Sequence, residues 1–194
     1  MSTNGELEEL LAILKSSIDL NKKIQAIDQL IEIQDLNHFD LVKNIYSNES
    51  HSEVKIKLIE LISNCYKKEG ISFLKPQYIL EKDWKVRKKI IEAVANIDKL
   101  NSLKFLIEAL GDSNIEIIKS AVLTLEGSID ALEDLINVLK FRNKELQEIL
   151  INVIVETGKD SDIQRITQYL DDENLNIKKE IPRILGKLGN KEAV

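Results

Sequence analysis

Cysteine occurs once in this 194-residue chain, histidine and proline twice each, and glycine seven times. The single Cys65 excludes an internal disulfide. That usage fits a reducing compartment, and a cytoplasmic location is expected. Two histidines, His38 and His51, have no ligand partner at helical spacing and do not assemble the four convergent ligands of a structural zinc site. His51 reads as a helix cap, Cys65 as a buried thiol, and neither metal nor cofactor is expected. So few Gly and Pro leave too few turn residues for a sheet protein of this length, which favours an all-helical chain. Aromatic residues make up only 5%, so the core is aliphatic. No apolar run approaches the roughly 20 residues of a membrane span. The polar, acidic opening Met1-Ser-Thr-Asn-Gly-Glu6 lacks the basic and apolar regions of a secretory leader. A phosphate loop is also missing, because Gly158-Lys159-Asp160 has neither the upstream Gly nor the Ser or Thr that such a loop needs. No carboxylate pair stands isolated among apolar residues, as acid–base catalysis requires. No catalytic residue is therefore expected, and the chain is expected not to be an enzyme.

What is present is a repeat. A polar residue is followed three positions later by an apolar one that opens a helical stripe, and this occurs six times. The copies are Asn21-Lys-Lys-Ile24, His51-Ser-Glu-Val54, Asp83-Trp-Lys-Val86, Asn114-Ile-Glu-Ile117, Asn143-Lys-Glu-Leu146 and Asn174-Leu-Asn-Ile177. The apolar members lie 30, 32, 31, 29 and 31 residues apart. A period of that size signals stacked helix pairs. After each pivot the apolar residues keep a 3.6-residue period, as in Val86, Ile90, Ala93, Val94 and Ile97 or Ile177, Ile181, Ile184, Leu185 and Leu188. A shorter stripe precedes each copy: Leu7, Leu10, Leu11 and Leu14; Leu41, Val42 and Ile45; Tyr78 and Ile79; Leu103, Leu106 and Leu110; Leu132, Leu135, Ile136 and Leu139; Ile163, Ile166 and Leu170. Each unit thus reads helix A, tight turn, helix B. The polar turn residues are expected to cap helix B. Gly127-Ser128, Gly158-Lys159-Asp160 and Gly186/Gly189 are expected to stop it. Pro182 falls inside the sixth B helix, where a kink is expected. Neither helix of a pair can bury its stripe alone, so stability is shared along the array.

These units resemble short HEAT-like repeats of the phycobilisome lyase type. The stretch Leu80–Ile97 carries the resemblance best, at Asp83, Val86 and Arg87. Leu110–Ala121 and Leu170–Ile177 match at the turn and pivot. The resemblance implies an all-α fold, a right-handed α-α superhelix (solenoid) of about six helix-pair HEAT-like repeats, forming one domain over residues 5–190 after a short disordered tail at 1–4. Only Arg87 supplies the Arg that usually follows the pivot. Leu188–Val194 resembles the opening of a seventh unit, so an exposed array end that can self-associate is expected.

Charge is unevenly placed. Net charge is −6. Residues 1–54 hold 4 basic and 10 acidic side chains, residues 55–89 hold 10 and 4, and residues 90–194 hold 13 and 19. A basic belt therefore lies between two acidic ends. Lys55, Lys57, Lys85, Arg87, Lys88 and Lys89 flank the pivots of two successive B helices. Lys55 and Arg87 share a repeat position, as do Lys57 and Lys89. Stacking is expected to align them as a cationic strip on the concave B-helix face. The competing reading is a solvated face with local pairs, Lys57 with Glu60 and Lys89 with Glu92. Trp84, the only Trp, is either a packing residue at the turn or an interface anchor.

The expected function is a non-catalytic protein–protein interaction scaffold. Its partner is expected to be a protein, with an acidic or phosphorylated segment, bound by Lys55, Lys57, Trp84, Lys85, Arg87, Lys88 and Lys89. The resemblance also implies an alternative, handling of a tetrapyrrole chromophore as an enzyme-accessory subunit, although few aromatics are available to line such a pocket. Some HEAT-like arrays act on DNA, but a net charge of −6 argues against nucleic acid. No membrane partner is expected.

Overall fold

The computed structural model describes residues 4–34, 37–125, 132–140 and 144–189. All regular structure among them is helical. The chain divides into two compact units, Met1–Ser102 and Leu103–Val194.

The first unit contains α1 (Asn4–Ser16), α2 (Leu20–Ile33), α3 (Phe39–Asn48), α4 (Ser52–Cys65), α5 (Lys67–Leu80) and α6 (Trp84–Asp98), closed by a 3-10 turn at Leu100–Ser102. Helices α1, α3 and α5 pack on α2, α4 and α6 in turn, and α2, α4 and α6 lie side by side. That is the A/B pairing the periodicity predicts. Its register here is a strict 32 residues. The residues preceding the three B helices are Asp19, His51 and Asp83. Seven, eight and eleven positions after them stand Ala26/Leu58/Ile90, Ile27/Ile59/Ile91 and Leu30/Ile62/Val94, all buried. This side-by-side face is where the unit's aliphatic side chains leave water, each contributing about 1.5–3 kcal/mol.

The register corrects the first copy of the repeat. The cap is Asp19, not Asn21: its carboxylate accepts the N–H groups of Asn21 and Lys22 at 2.9 and 3.3 Å. The pivot position is then Lys22, which is exposed, and Ile24 is only half-buried. The third A helix, α5, also differs from expectation. Ile79 is 81% exposed, and the buried residues are Gly70 and Leu74. The reason is close approach. A Cβ on Gly70 would lie 2.8 Å from Ile62 Cγ2, so α5 approaches α4 closely at Gly70, while Ile79 and Leu80 at its end are exposed.

The second unit repeats the plan. Helix α7 (Leu103–Glu108), extended by a 3-10 turn at Ala109–Gly111, packs on α8 (Ile115–Leu125). Next, α9 (Leu132–Val138) packs on α10 (Lys144–Thr157). Last, α11 (Asp160–Thr167), extended by a 3-10 turn at Gln168–Asp171, packs on α12 (Leu175–Gly189). Helices α8, α10 and α12 lie side by side. Asn114 and Asn174 cap as expected, accepting from Glu116 N–H at 2.8 Å and Asn176 N–H at 3.0 Å. Asp112 and Asp172 brace the same turns by accepting from the Asn114 and Asn174 N–H groups. Gly158 follows the end of α10, and a Cβ there would meet the Ile154 carbonyl at 2.7 Å and Leu188 Cδ2 at 3.0 Å. Gly186, in contrast, lies within α12 and does not stop it. Pro182 is inside the same helix, at an exposed position. The expected turn at Phe141-Arg142-Asn143, the stop at Gly127-Ser128 and most of Leu188–Val194 lie outside the described residues.

Candidate protein-binding surface

The basic belt separates into two sets. In the first set each cation is engaged. Lys55 on α4 pairs with Glu81 at the end of α5. Its ammonium also stands 5.2 Å over the Tyr46 ring. Lys57 pairs with Asp28 on α2 at 2.8 Å and with Glu60 at 3.4 Å. The Asp28 carboxylate, with Glu60, raises the Lys57 pKa despite the opposing cost of burial. The Arg87 guanidinium donates to the Glu81 and Lys82 carbonyls at 3.2 and 2.9 Å. The Lys55–Glu81 and Lys57–Asp28 pairs tie successive helix pairs together, while Arg87 fastens the turn between α5 and α6. Lys23 and Glu49 make the equivalent tie one period earlier, at 2.6 Å. The same separation of 26 residues recurs in both ion pairs.

Glu49 anchors the start of α4. Its side chain is 3% exposed. One oxygen accepts from the Ser50 and His51 N–H groups, each at 2.9 Å, and lies 2.8 Å from His51 Nδ1. Burial alone would push this carboxyl up. The hydrogen bonds from Lys23 and His51, with the Lys23 charge, overcome burial and hold the pKa down at about 2. His51 occupies the expected cap position, yet its own side chain makes no cap hydrogen bond. Glu49 instead fixes the turn that leads into α4, through the Ser50 and His51 N–H groups. Asp83 caps α6 by accepting from Lys85 N–H at 2.9 Å. The Ser52 hydroxyl also donates to it, and these bonds hold the Asp83 carboxyl below its ordinary value.

The second set is Lys85, Lys88 and Lys89, and none of the three forms a salt bridge among the described residues. Together with Ile56, Trp84 and Glu92 they line an open cleft of about 310 Å³ between α4 and α6. Of the two local pairs weighed above, Lys57–Glu60 forms and Lys89–Glu92 does not. The half-buried Trp84 lines the cleft rather than lying wholly in the core. Ile56 is a lining residue that sequence reasoning missed. Its signal was its place between two lysines, off the buried stripe of α4.

A second feature also escaped the sequence reading. Phe39 stacks on Tyr66 with centroids 4.5 Å apart, and Phe73 stands edge-on to Phe39 and Tyr46 at 6.2 and 5.5 Å. Phe39 and Tyr46 are spaced i, i+7 on one face of α3, and Phe73 lies seven residues after Tyr66, which holds the cap position at the start of α5. Burial drives the Tyr46 phenol far above its ordinary pKa, and the Glu81 charge adds to the shift. Its hydroxyl has no hydrogen-bond partner among the described residues. Cys65 is buried on α4. Among the described residues no group of three or more His, Cys, Asp and Glu side chains is placed to hold a metal ion, and no helix is long and apolar enough to cross a membrane.

No family model and no curated protein matches the chain. Solved structures do. A designed armadillo repeat protein in complex with the peptide (KR)4 is 19% identical, with a TM-score of 0.51, over 94% of this chain and 99% of that one. This is a helical-repeat fold. An engineered protein solved as a structural genomics target is also 19% identical, with a TM-score of 0.46, over 95% of this chain and 97% of that one.

Proposed function

We propose that this chain is a non-catalytic protein-binding scaffold whose docking surface is the cleft between α4 and α6. The observation that carries this reading is the division of the belt. Lys55 and Lys57 are paired with acids of neighbouring segments and Arg87 with the carbonyls of the turn before its own helix, while Lys85, Lys88 and Lys89 line a cleft beside a half-buried indole and form no salt bridge among the described residues. Free ammonium groups beside an exposed aromatic edge attract an acidic surface and give it an apolar anchor. The partner is a protein bearing an acidic segment. Among helical repeats, the chain is assigned to the short HEAT-like type. Arg87 supports this, because its carbonyl hydrogen bonds give the Arg after the pivot a structural task.

The test is affinity capture with cross-linking, using the whole chain and two variants. One carries Lys85→Glu, Lys88→Glu and Lys89→Glu, and the other Trp84→Ala. These side chains are exposed or half-buried, so circular dichroism should be unchanged. Loss of the captured partner in both variants supports the reading. Undiminished capture by the triple variant overturns it.

A further inference from the structure

The cleft is not uniformly cationic. Along α6 it is lined in order by Trp84, Lys85, Lys88 and Lys89, and then Glu92. From Trp84 and Lys85 to Lys88 and Lys89, and from these to Glu92, each step advances by about one helical turn, roughly 5 Å. Glu92 forms no salt bridge among the described residues, so its carboxylate is available to a ligand. We infer that the cleft reads an acidic amphipathic segment in one direction only. A bulky apolar residue of the segment seats on Trp84 and Ile56. Its carboxylates lie opposite Lys85, Lys88 and Lys89. A basic residue about one turn further on meets Glu92. The inference rests on the cleft being the binding surface, and adds the chemistry and polarity of what binds there.

Carboxylates suit this lining better than phosphate. Compact recognition of a phosphate draws on a guanidinium fork. The one Arg nearby, Arg87, donates to the Glu81 and Lys82 carbonyls instead. The lysines are strung along the helix rather than converging on a point, which matches carboxylates spaced along a segment. Glu92 closes the far end against a uniformly acidic ligand, because like charges placed together penalise the wrong partner.

The experiment uses two fluorescein-labelled synthetic helical peptides of identical composition. One reads apolar anchor, glutamates, lysine. The other carries the lysine beside the anchor and the glutamates beyond it. Fluorescence polarisation against the whole chain gives affinity, and Trp84 emission reports seating in the cleft. The forward peptide is expected to bind up to about fivefold tighter, the upper end for one exposed ion pair. Glu92→Lys is expected to abolish that preference, and a forward peptide with its lysine changed to glutamate to restore it. Equal binding of both peptides to the native chain overturns the directional inference and leaves the docking surface standing. Failure of both peptides to bind overturns the docking surface as well. Tighter binding of a phosphoserine version overturns the carboxylate assignment. Sedimentation showing that a second copy of this chain occupies the cleft, with self-association lost in Lys88→Glu, also overturns it.

Discussion

Glu49→Gln is the most informative single change for the fold. The native carboxylate is buried and accepts two backbone N–H groups at 2.9 Å while pairing with Lys23 at 2.6 Å. Its pKa falls from 4.5 to about 2. At 1.36 kcal/mol per pKa unit, the full shift corresponds to about 3 kcal/mol favouring the charged form in the folded state. Lys23 and His51 reach solvent, and screening reduces this to about 2 kcal/mol. The amide keeps an oxygen for the backbone donors but loses the charge, so the variant should be destabilised by about 1–2 kcal/mol near neutral pH. The sign of the pH dependence follows from the depressed pKa. The contribution is complete above 4.5 and declines as pH falls through about 2, with roughly 40% gone by pH 3.5. Urea denaturation followed by Trp84 emission measures it, because Trp84 lies in the same unit as Glu49. The difference between native and variant chains should shrink on going from pH 6.5 to 3.5. A difference that is negligible at pH 6.5, or that stays constant across that interval, refutes the reasoning.

Further predictions concern packing, caps and surface ions. Gly158→Ala should lower stability by about 1–3 kcal/mol, because the new methyl meets the Ile154 carbonyl and Leu188; Gly186→Ala, with nothing within 4 Å, should raise it by about 0.5–1 kcal/mol. Thermal melts of the two variants should therefore move in opposite directions. Asn174→Ala should cost about 1 kcal/mol in chemical denaturation, through the lost cap on α12. Arg183→Ala should change stability by less than about 1 kcal/mol, despite two contacts to Glu148 at 2.6 and 2.7 Å, because the pair is exposed.

The helix pairs were legible in the sequence wherever the apolar period was long. Ile90, Ile91 and Val94, or Ile177, Ile181 and Ile184, mark one helix face without ambiguity, since a 3.6-residue period over several turns has no extended alternative. Legibility failed where one residue could serve two registers. Asn21 and Asp19 are both good caps, and only the backbone hydrogen bonds choose Asp19. It failed again in α5, where Tyr78 and Ile79 look like a stripe. The contact is made instead by Gly70, whose contribution is the absence of a side chain. The aromatic cluster was hidden because its members come from helices α3 and α5 and the residue between α4 and α5.

The binding surface divides along the same line. Composition and spacing established a helical array with a basic middle, because periodicity and charge are properties of the chain itself. Which lysines are available to a ligand was decided only by the fold. Lys55, Lys57 and Lys88 are equivalent as residues. Glu81 and Asp28 are brought to the first two by stacking one period away, and the third forms no salt bridge among the described residues. Ion pairing depends on distances of a few ångströms between segments some 26 to 29 residues apart, and only tertiary packing sets those distances.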